Sequence, residues 1–170
     1  MTENLTYDTD FHAWAMHNAR LLRAGQIDQV DARHLAEELE GMSASERREL
    51  LNRLQVLLLH LLKHQYQPER RGRSWLLTIV RQRTAIERLL EQSPSLKARL
   101  DNETLAKVYG KAMREVVIET DLEPHLFPIG CPYLLEQILD EDWLPESVYP
   151  SAMERPNGLA FVVIDGDSFD

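Results

Sequence analysis

A run of leucines constrains the fold of this chain more than any other feature of its sequence. Between residues 50 and 62, leucines recur at spacings of three and four: Leu50, Leu51, Leu54, Leu57, Leu58, Leu61 and Leu62. At about 100° per residue, these positions form one broad apolar stripe along a helix. Val56 and Leu59 fall on the far side, so the helix is apolar nearly all round over 56–62. Such a helix must be enclosed by other helices.

Signals at both ends of this stretch define the length of the predicted helix. The pattern SASE at 43–46 is a capping box, in which Ser43 covers an amide and Glu46 reaches back. Pro68 disfavours helical geometry in the residue before it. We therefore predict a long central helix over about 43–66.

Helical periodicity predicts further helices on both sides of this one. Their approximate ranges are 9–24, 32–40, 75–92, 94–100, 102–120 and a last helix from Pro132. The predicted boundary residues are Asp8 or Thr9 and Gly25 for the first helix, Asp31 and Gly41 for the second, and Ser74 for the helix over 75–92. Leu39, Leu76 and Val80 are predicted to face inward. The expected fold is an all-α helical bundle around the central helix.

The end of the chain has a different character. A length of 170 residues suits one ordinary domain, or one domain with a tail. We predict a helical bundle domain over 1–146 and an irregular, acidic C-terminal extension over 147–170. The extension contains the one strand-like stretch, LAFVVIDGD at 159–167. Because a single strand needs a partner, we expect this extension to be loose or lightly docked.

Three features predict a cytoplasmic protein without membrane contact. Cys131 is the only cysteine, so a disulfide within the chain and cysteine-based zinc motifs are excluded. The first residues lack the basic start and apolar core of a signal peptide. The longest apolar run, VLLL at 56–59, is far shorter than the ~20 residues of a membrane span.

Charge is distributed unevenly along the chain. The net charge of −9 disfavours a nucleic-acid partner, because non-specific binding there depends on an excess of Lys and Arg. Residues 46–100 carry 12 basic and 5 acidic groups, residues 1–45 carry 3 and 8, and residues 101–170 carry 4 and 15. Either the basic middle pairs with the acidic ends inside one fold, or it leaves a basic face for an anionic partner.

Several stretches resemble a known family. They are HLAEELEGMSASERREL (34–50), LLLHLLKHQYQPERRGRSW (57–75), SPSLKARL (93–100) and CPYLLEQILDEDWLPE (131–146). In this order they resemble domain-of-unknown-function family 29, a bacterial family of small helical proteins, over roughly residues 7–146. The resemblance implies an all-helical fold and a bacterial, cytoplasmic setting. It implies no reaction, cofactor or catalytic residue.

One hypothesis is a metal site on the central helix. His60 and His64 lie four residues apart, which places both imidazoles on one helix face. The residues that would add a nitrogen and a carboxylate from the predicted helix 32–40 are His34, Glu37 and Glu38. Such a set with an open position is the layout of a catalytic zinc or iron site. The metalloprotease pattern HExxH is absent, and the alternative is that both histidines are structural.

A second hypothesis concerns the turn PERRGRS at 68–74. Its candidate anion-binding residues are Arg70, Arg71, Arg73 and Ser74. Free amides at a helix start and bidentate guanidinium groups both favour a phosphate, a carboxylate or a nucleic-acid backbone. The turn is not a Walker A loop, so nucleotide hydrolysis is not implied. The alternative is that these arginines pair with the chain's own acids, such as Glu37, Glu38 or those of segment 140–146.

The sequence therefore favours a non-enzymatic helical protein that acts as an interaction module. Its expected partner is a protein or a second copy of the chain. The alternatives are a metal-dependent enzyme that uses His60 and His64 with a carboxylate, and an anion or nucleic-acid binder that uses the arginines of 68–74. We predict no cofactor. A divalent metal is expected only under the alternative that the protein is a metal-dependent enzyme.

Overall fold

The computed structural model describes residues 7–148 of the chain. Its α-helices in that range are α1 (Phe11–Arg23), α2 (Ala32–Tyr66), α3 (Arg73–Gln92), α4 (Asn102–Thr120) and α5 (Leu135–Leu139). Short 3-10 helices lie at Ile27–Gln29, Pro68–Arg70, Pro94–Arg99 and Pro124–Leu126. No strand is present between residues 7 and 148, and the predicted all-α fold is confirmed. The strand-like segment 159–167 lies outside the described residues.

The chain divides into two compact units, residues 1–48 and 49–170. The described part of the first, called the N-terminal unit (7–48), contains α1 and the first half of α2. The described part of the second, called the core unit (49–148), contains the rest of α2 and α3 to α5. The predicted boundary at residue 146 stays a prediction, because the chain beyond residue 148 is outside the described part.

The second half of α2 forms the centre of the core unit. Leu57, Leu58, Leu61 and Leu62 are completely buried, and Leu59 on the far side is only 5% exposed. The leucine stripe is therefore enclosed, as its periodicity predicts. The buried residues that other helices contribute include Ile79, Ile86, Val108, Tyr109, Ala112, Val116 and Ile138.

The predicted break at Gly41, between a helix over 32–40 and the central helix over 43–66, was wrong. α2 continues without interruption from Ala32 to Tyr66, over 35 residues. Gly41 does not adopt the positive φ of a helix-ending glycine. A glycine in a helix interior costs only about 1 kcal/mol relative to alanine, which the neighbouring helix-forming residues offset. Ser43 therefore lies inside α2 and is not its N-cap.

The boundaries of α1 and the start of α2 agree in part with prediction. Asp10 caps α1 by accepting a hydrogen bond from an amide in the first turn at 2.9 Å, so the predicted caps Asp8 and Thr9 were wrong. Gly25 follows the helix with a φ of 71°, the left-handed conformation predicted for its end. Asp31 accepts from the third amide of α2 at 3.3 Å and is its cap, as predicted.

Two later helix starts also differ from prediction. α3 begins at Arg73 with Gly72 as its N-cap, so Ser74 lies within the first turn. The last helix begins at Leu135, not at Pro132. Its start is set by a side chain within the helix, because the Gln137 amide oxygen accepts a hydrogen bond from the backbone amide of Leu134 at 2.9 Å.

The buried face of α3 is narrower than its apolar pattern indicates. Ile79 and Ile86 are buried, whereas Leu76 is 41% exposed and Val80 is 56% exposed, so their predicted inward orientation was wrong. The buried position between the two isoleucines is taken by Arg83, at 3% exposed. A hydrophobic pattern cannot show that an arginine replaces an apolar residue in the core.

No helix within residues 7–148 combines the length and the apolar character that a membrane crossing requires.

Candidate functional site

The arginines of turn 68–74 have different surroundings. Arg71 contacts its own chain, because its Nε donates to the His64 carbonyl at 2.8 Å and its Nη2 donates to the Ser147 hydroxyl. Its partners are a carbonyl and a hydroxyl, not the carboxylates considered from the sequence. Arg71 therefore fastens the chain near residue 147 to the end of α2.

The remaining anion-binding candidates face solvent. Arg70, Arg73 and Ser74 are exposed. Within residues 7–148, neither the Arg70 nor the Arg73 guanidinium group forms a hydrogen bond or an ion pair. Two guanidinium groups and the start of α3 are thus open to an anion, whereas Arg71 is occupied.

A fourth arginine that the sequence analysis missed has the most extensive contacts. Arg83 donates from Nε to the Ile138 carbonyl at 2.8 Å, from Nη1 to the Glu141 carbonyl at 3.2 Å and from Nη2 to the Trp143 carbonyl at 2.8 Å. Burial lowers its pKa. Its position four residues after Ile79 and three before Ile86, inside an apolar stripe, was the one available sequence signal.

Arg83 and Arg71 together fix the course of the chain after α5. Arg83 contacts carbonyls from residues 138 to 143, and Arg71 contacts Ser147. The amide of Val148 then donates to the Gln65 carbonyl at 3.0 Å. The role of these two arginines is structural, because every partner belongs to the same chain.

His60 is half-buried and bound to its own helix. Its Nδ1 lies 2.9 Å from the Val56 carbonyl, so that nitrogen carries the proton. Burial lowers the pKa of His60, which favours the neutral ring. The nearby Lys63 forms an ion pair with Glu119 at 2.7 Å.

His64 is buried at 8% exposure in the last turns of α2. Within residues 7–148, its Nδ1 has no hydrogen-bond partner. Burial, and then the positive charge of Arg71, lower the pKa of His64, while the nearby Pro145 backbone opposes this shift. His64 is therefore a neutral packing residue beneath the segment that Arg71 fastens.

The other proposed metal ligands belong to the N-terminal unit and have their own partners. His34 Nδ1 lies 2.7 Å from Asp31, Glu37 pairs with Arg33 at 3.2 Å, and Glu38 accepts from the Tyr7 hydroxyl. In the part of the chain that the structure describes, no three His, Cys, Asp or Glu side chains are grouped to hold a metal ion.

The core unit also contains a cavity of about 360 Å³ between α3, the 3-10 helix that follows it and the chain after α5. Ile86, Leu90 and Leu139 provide apolar lining, and charged side chains such as Glu91 and Lys97 complete it. None of the histidines or arginines proposed from the sequence lines this cavity. It therefore provides no substrate pocket for either hypothesis.

A polar and aromatic network holds the N-terminal unit together. Trp14 Nε1 donates to the Asp31 carboxylate at 3.0 Å, and the Asp31 amide donates to the Asn18 side chain at 2.8 Å. The Tyr7 ring stacks on His34 with centroids 4.4 Å apart. The hydrogen bond from His34 is the largest of the contacts that lower the pKa of Asp31. These contacts organise the unit around one carboxylate.

Most of the large apolar side chains of the N-terminal unit are exposed to solvent. Its buried residues among 7–48 are Trp14, Asn18 and Leu21. Its exposed apolar residues are Phe11 (51%), Met16 (48%), Leu22 (46%), Ile27 (61%), Leu39 (65%) and Met42 (65%). Leu39 was predicted to face inward, and that prediction was wrong. From residue 39 to residue 49, every residue of α2 is exposed.

A family model described as Domain of unknown function DUF29 matches residues 6–144. The chain belongs to the DUF29 family. The match confirms the resemblance seen in the sequence, and it covers most of both described units. No curated protein and no solved structure matches the chain. The DUF29 family description names no activity, so the function must be argued from the surface.

Proposed function

We propose that this DUF29 protein is a non-enzymatic interaction module that binds a protein through the exposed apolar residues of its N-terminal unit. The observation that carries the proposal is that this unit exposes more large apolar side chains than it buries. Residues 7–48 bury two apolar side chains, Trp14 and Leu21, and expose the six named above. Large exposed apolar surface on a folded protein is typical of interaction sites.

The energetics of the N-terminal unit support the proposal. A helix pair of this size buries little apolar surface on its own, and small helical units commonly depend on association. Covering a Leu, Met or Phe side chain contributes about 1.5–3 kcal/mol. A partner that covers Leu39, Met42 and Phe11 would thus add substantially to the stability of the unit.

The first half of α2 supplies a suitable docking element. It is a regular helix whose residues 39–49 are exposed on all sides. An exposed helix can enter a groove or pack beside another helix, with residues three and four apart making the contacts. Leu39 and Met42 have this spacing.

The enzyme alternative has weaker support. The Nδ1 of His60 is bonded to its own helix, and His64 is buried. A catalytic metal site needs several accessible ligands and an open position. The setting that we propose for the protein is the bacterial cytoplasm, which the single cysteine and the family resemblance support.

Anion binding at the start of α3 is a second candidate function. Its support is that Arg70 and Arg73 are exposed and that their guanidinium groups have no partner among the described residues. Titration with phosphate at low salt tests it in the wild type and in Arg70→Ala/Arg73→Ala. A weaker apparent affinity in the double variant supports the idea, and identical curves remove it.

Cross-linking tests the main proposal. The variant Leu39→Asp/Met42→Asp places charge on the first half of α2, and Ile118→Asp/Ile129→Asp is the matched control. Ile118 and Ile129 are 81% and 102% exposed and lie in the core unit. We expect the first variant to lose cross-linked protein products that the wild type and the control retain, with all three equally helical by circular dichroism. Equal cross-linking in all three proteins contradicts the proposal.

A further inference from the structure

We propose that the partner of the N-terminal unit is a second copy of this chain, packed antiparallel along residues 39–48 of α2. This inference rests on the proposed function, because it uses the same exposed helix. It adds the identity of the partner, the direction of packing and the residues that specify both.

The first support is the accessibility of this part of α2. Leu39 and Met42 are each 65% exposed and lie one helical turn apart. Small residues occupy the middle of the stretch, with Ser43 next to Ala44. Small side chains at a crossing point let two helix backbones approach closely. At about 100° per residue, Leu39 flanks the face that carries Ser43 and Ala44 and can reach the opposite helix, whereas Met42 points away from that face.

The second support is the order of charges along the stretch. Glu40 lies near its start, and Arg47 and Arg48 lie near its end. Glu40 and Arg47 are seven residues apart, so they lie on the same side of the helix to within about 20°. None of the three forms an ion pair within residues 7–148.

A second copy satisfies all of these charges at once. In an antiparallel pair with its two-fold axis between Ser43 and Ala44, Glu40 of one copy lies opposite Arg47 of the other, and the same contact occurs twice. Arg48 lies beside Arg47 and adds to the attraction. A parallel pair would instead place Glu40 opposite Glu40 and Arg47 opposite Arg47, which is repulsive.

Sedimentation equilibrium of the full chain tests the inference with paired charge reversals. The first variant is Glu40→Arg, and the second is Arg47→Glu/Arg48→Glu. Each variant alone places like charges opposite each other in the antiparallel pair. We expect each to weaken self-association by about tenfold or more relative to the wild type, at low salt.

Mixing the two charge-reversal variants gives the decisive test of the antiparallel pairing. In the mixed pair, the introduced arginine faces the introduced glutamates, and the native arginines face the native Glu40. We expect the mixture to associate about as tightly as the wild type. The combined variant Glu40→Arg/Arg47→Glu/Arg48→Glu should also recover self-association. Glu136→Arg, a reversal at an exposed site in the core unit, should behave like the wild type.

The outcomes separate this inference from the proposed function. A wild type that remains monomeric up to millimolar concentration overturns the second copy as partner. The inference is also overturned if neither charge reversal weakens the dimer, or if the mixture of the two variants fails to recover association. If the wild type is monomeric and Leu39→Asp/Met42→Asp still abolishes cross-links to a different protein, the proposed function stands without this inference. Circular dichroism shows whether each variant is folded.

Discussion

The two halves of α2 belong to one continuous helix and yet have opposite surroundings. From residue 39 to residue 49 every side chain is exposed, whereas Leu57, Leu58, Leu61 and Leu62 in the second half are completely buried. Leu39 and Leu61 are the same residue type in the same kind of backbone. The comparison teaches that helical periodicity identifies an apolar face but does not show what covers it.

The largest expected effect lies in the second half of α2. Leu61→Ala removes a completely buried side chain and leaves a cavity in the core unit. We expect the free energy of unfolding to fall by about 2–5 kcal/mol, measured by urea denaturation followed by circular dichroism. A loss below about 1 kcal/mol would show that the leucine stripe is not tightly enclosed.

The next effect concerns Arg83 in the core unit. Arg83→Met introduces an unbranched apolar side chain in place of the guanidinium group. It leaves three carbonyls without their hydrogen-bond donor. We expect a loss of about 2–4 kcal/mol in the free energy of unfolding. Arg81→Met, at an exposed position of the same helix, is the control and should change stability by less than about 0.5 kcal/mol. Equal effects would contradict the structural role of Arg83.

Because of the two histidines His60 and His64, we expect the free energy of unfolding to depend on pH. Burial lowers the pKa of both His60 and His64 in the folded chain, so the unfolded chain binds more protons between the folded and the unfolded pKa values. The contribution of the neutral histidines to the free energy of unfolding is fully present above the ordinary histidine pKa of about 6.5. It is lost as pH falls towards the lowered pKa values of the folded chain.

Urea denaturation at pH 7.5 and pH 6.0 measures this dependence, in a range where carboxylates stay largely ionised. We expect the wild type to be less stable at the lower pH. His64→Asn should reduce that difference, because one of the two titrating groups is gone. An unchanged difference in His64→Asn would show that other groups cause it.

The smallest effect on stability is expected in the first half of α2. Leu39→Ala removes a side chain that is 65% exposed, so we expect a change within about 0.5 kcal/mol at protein concentrations where the chain is monomeric. At higher concentration the same variant should associate more weakly than the wild type. A large loss of stability in the monomer would show that Leu39 belongs to a core.

Local signals in the sequence predicted much of α2. The leucine stripe, its enclosure and the cap of α2 at Asp31 follow from periodicity and hydrogen bonding alone. The break at Gly41 was wrong because one glycine does not outweigh the helix-forming residues around it.

The contacts of the candidate sites could not be predicted in the same way. Arg71 meets Ser147 and Arg83 meets Trp143, and both contacts join residues that are far apart in the chain. Those partners exist only once the chain after α5 is in place. The sequence therefore indicated the basic turn and the histidine pair but not which of their side chains the fold occupies.

Hydrogen–deuterium exchange along α2, at increasing protein concentration, tests the central claim most directly. We predict that amides of residues 39–49 exchange much faster than those of residues 54–62 in dilute protein, since exposed helical segments open locally at low free energy. Their protection should rise as the concentration increases, while that of residues 54–62 stays constant. Equal, concentration-independent protection in both halves would contradict the claim that the first half of α2 is an open surface for association.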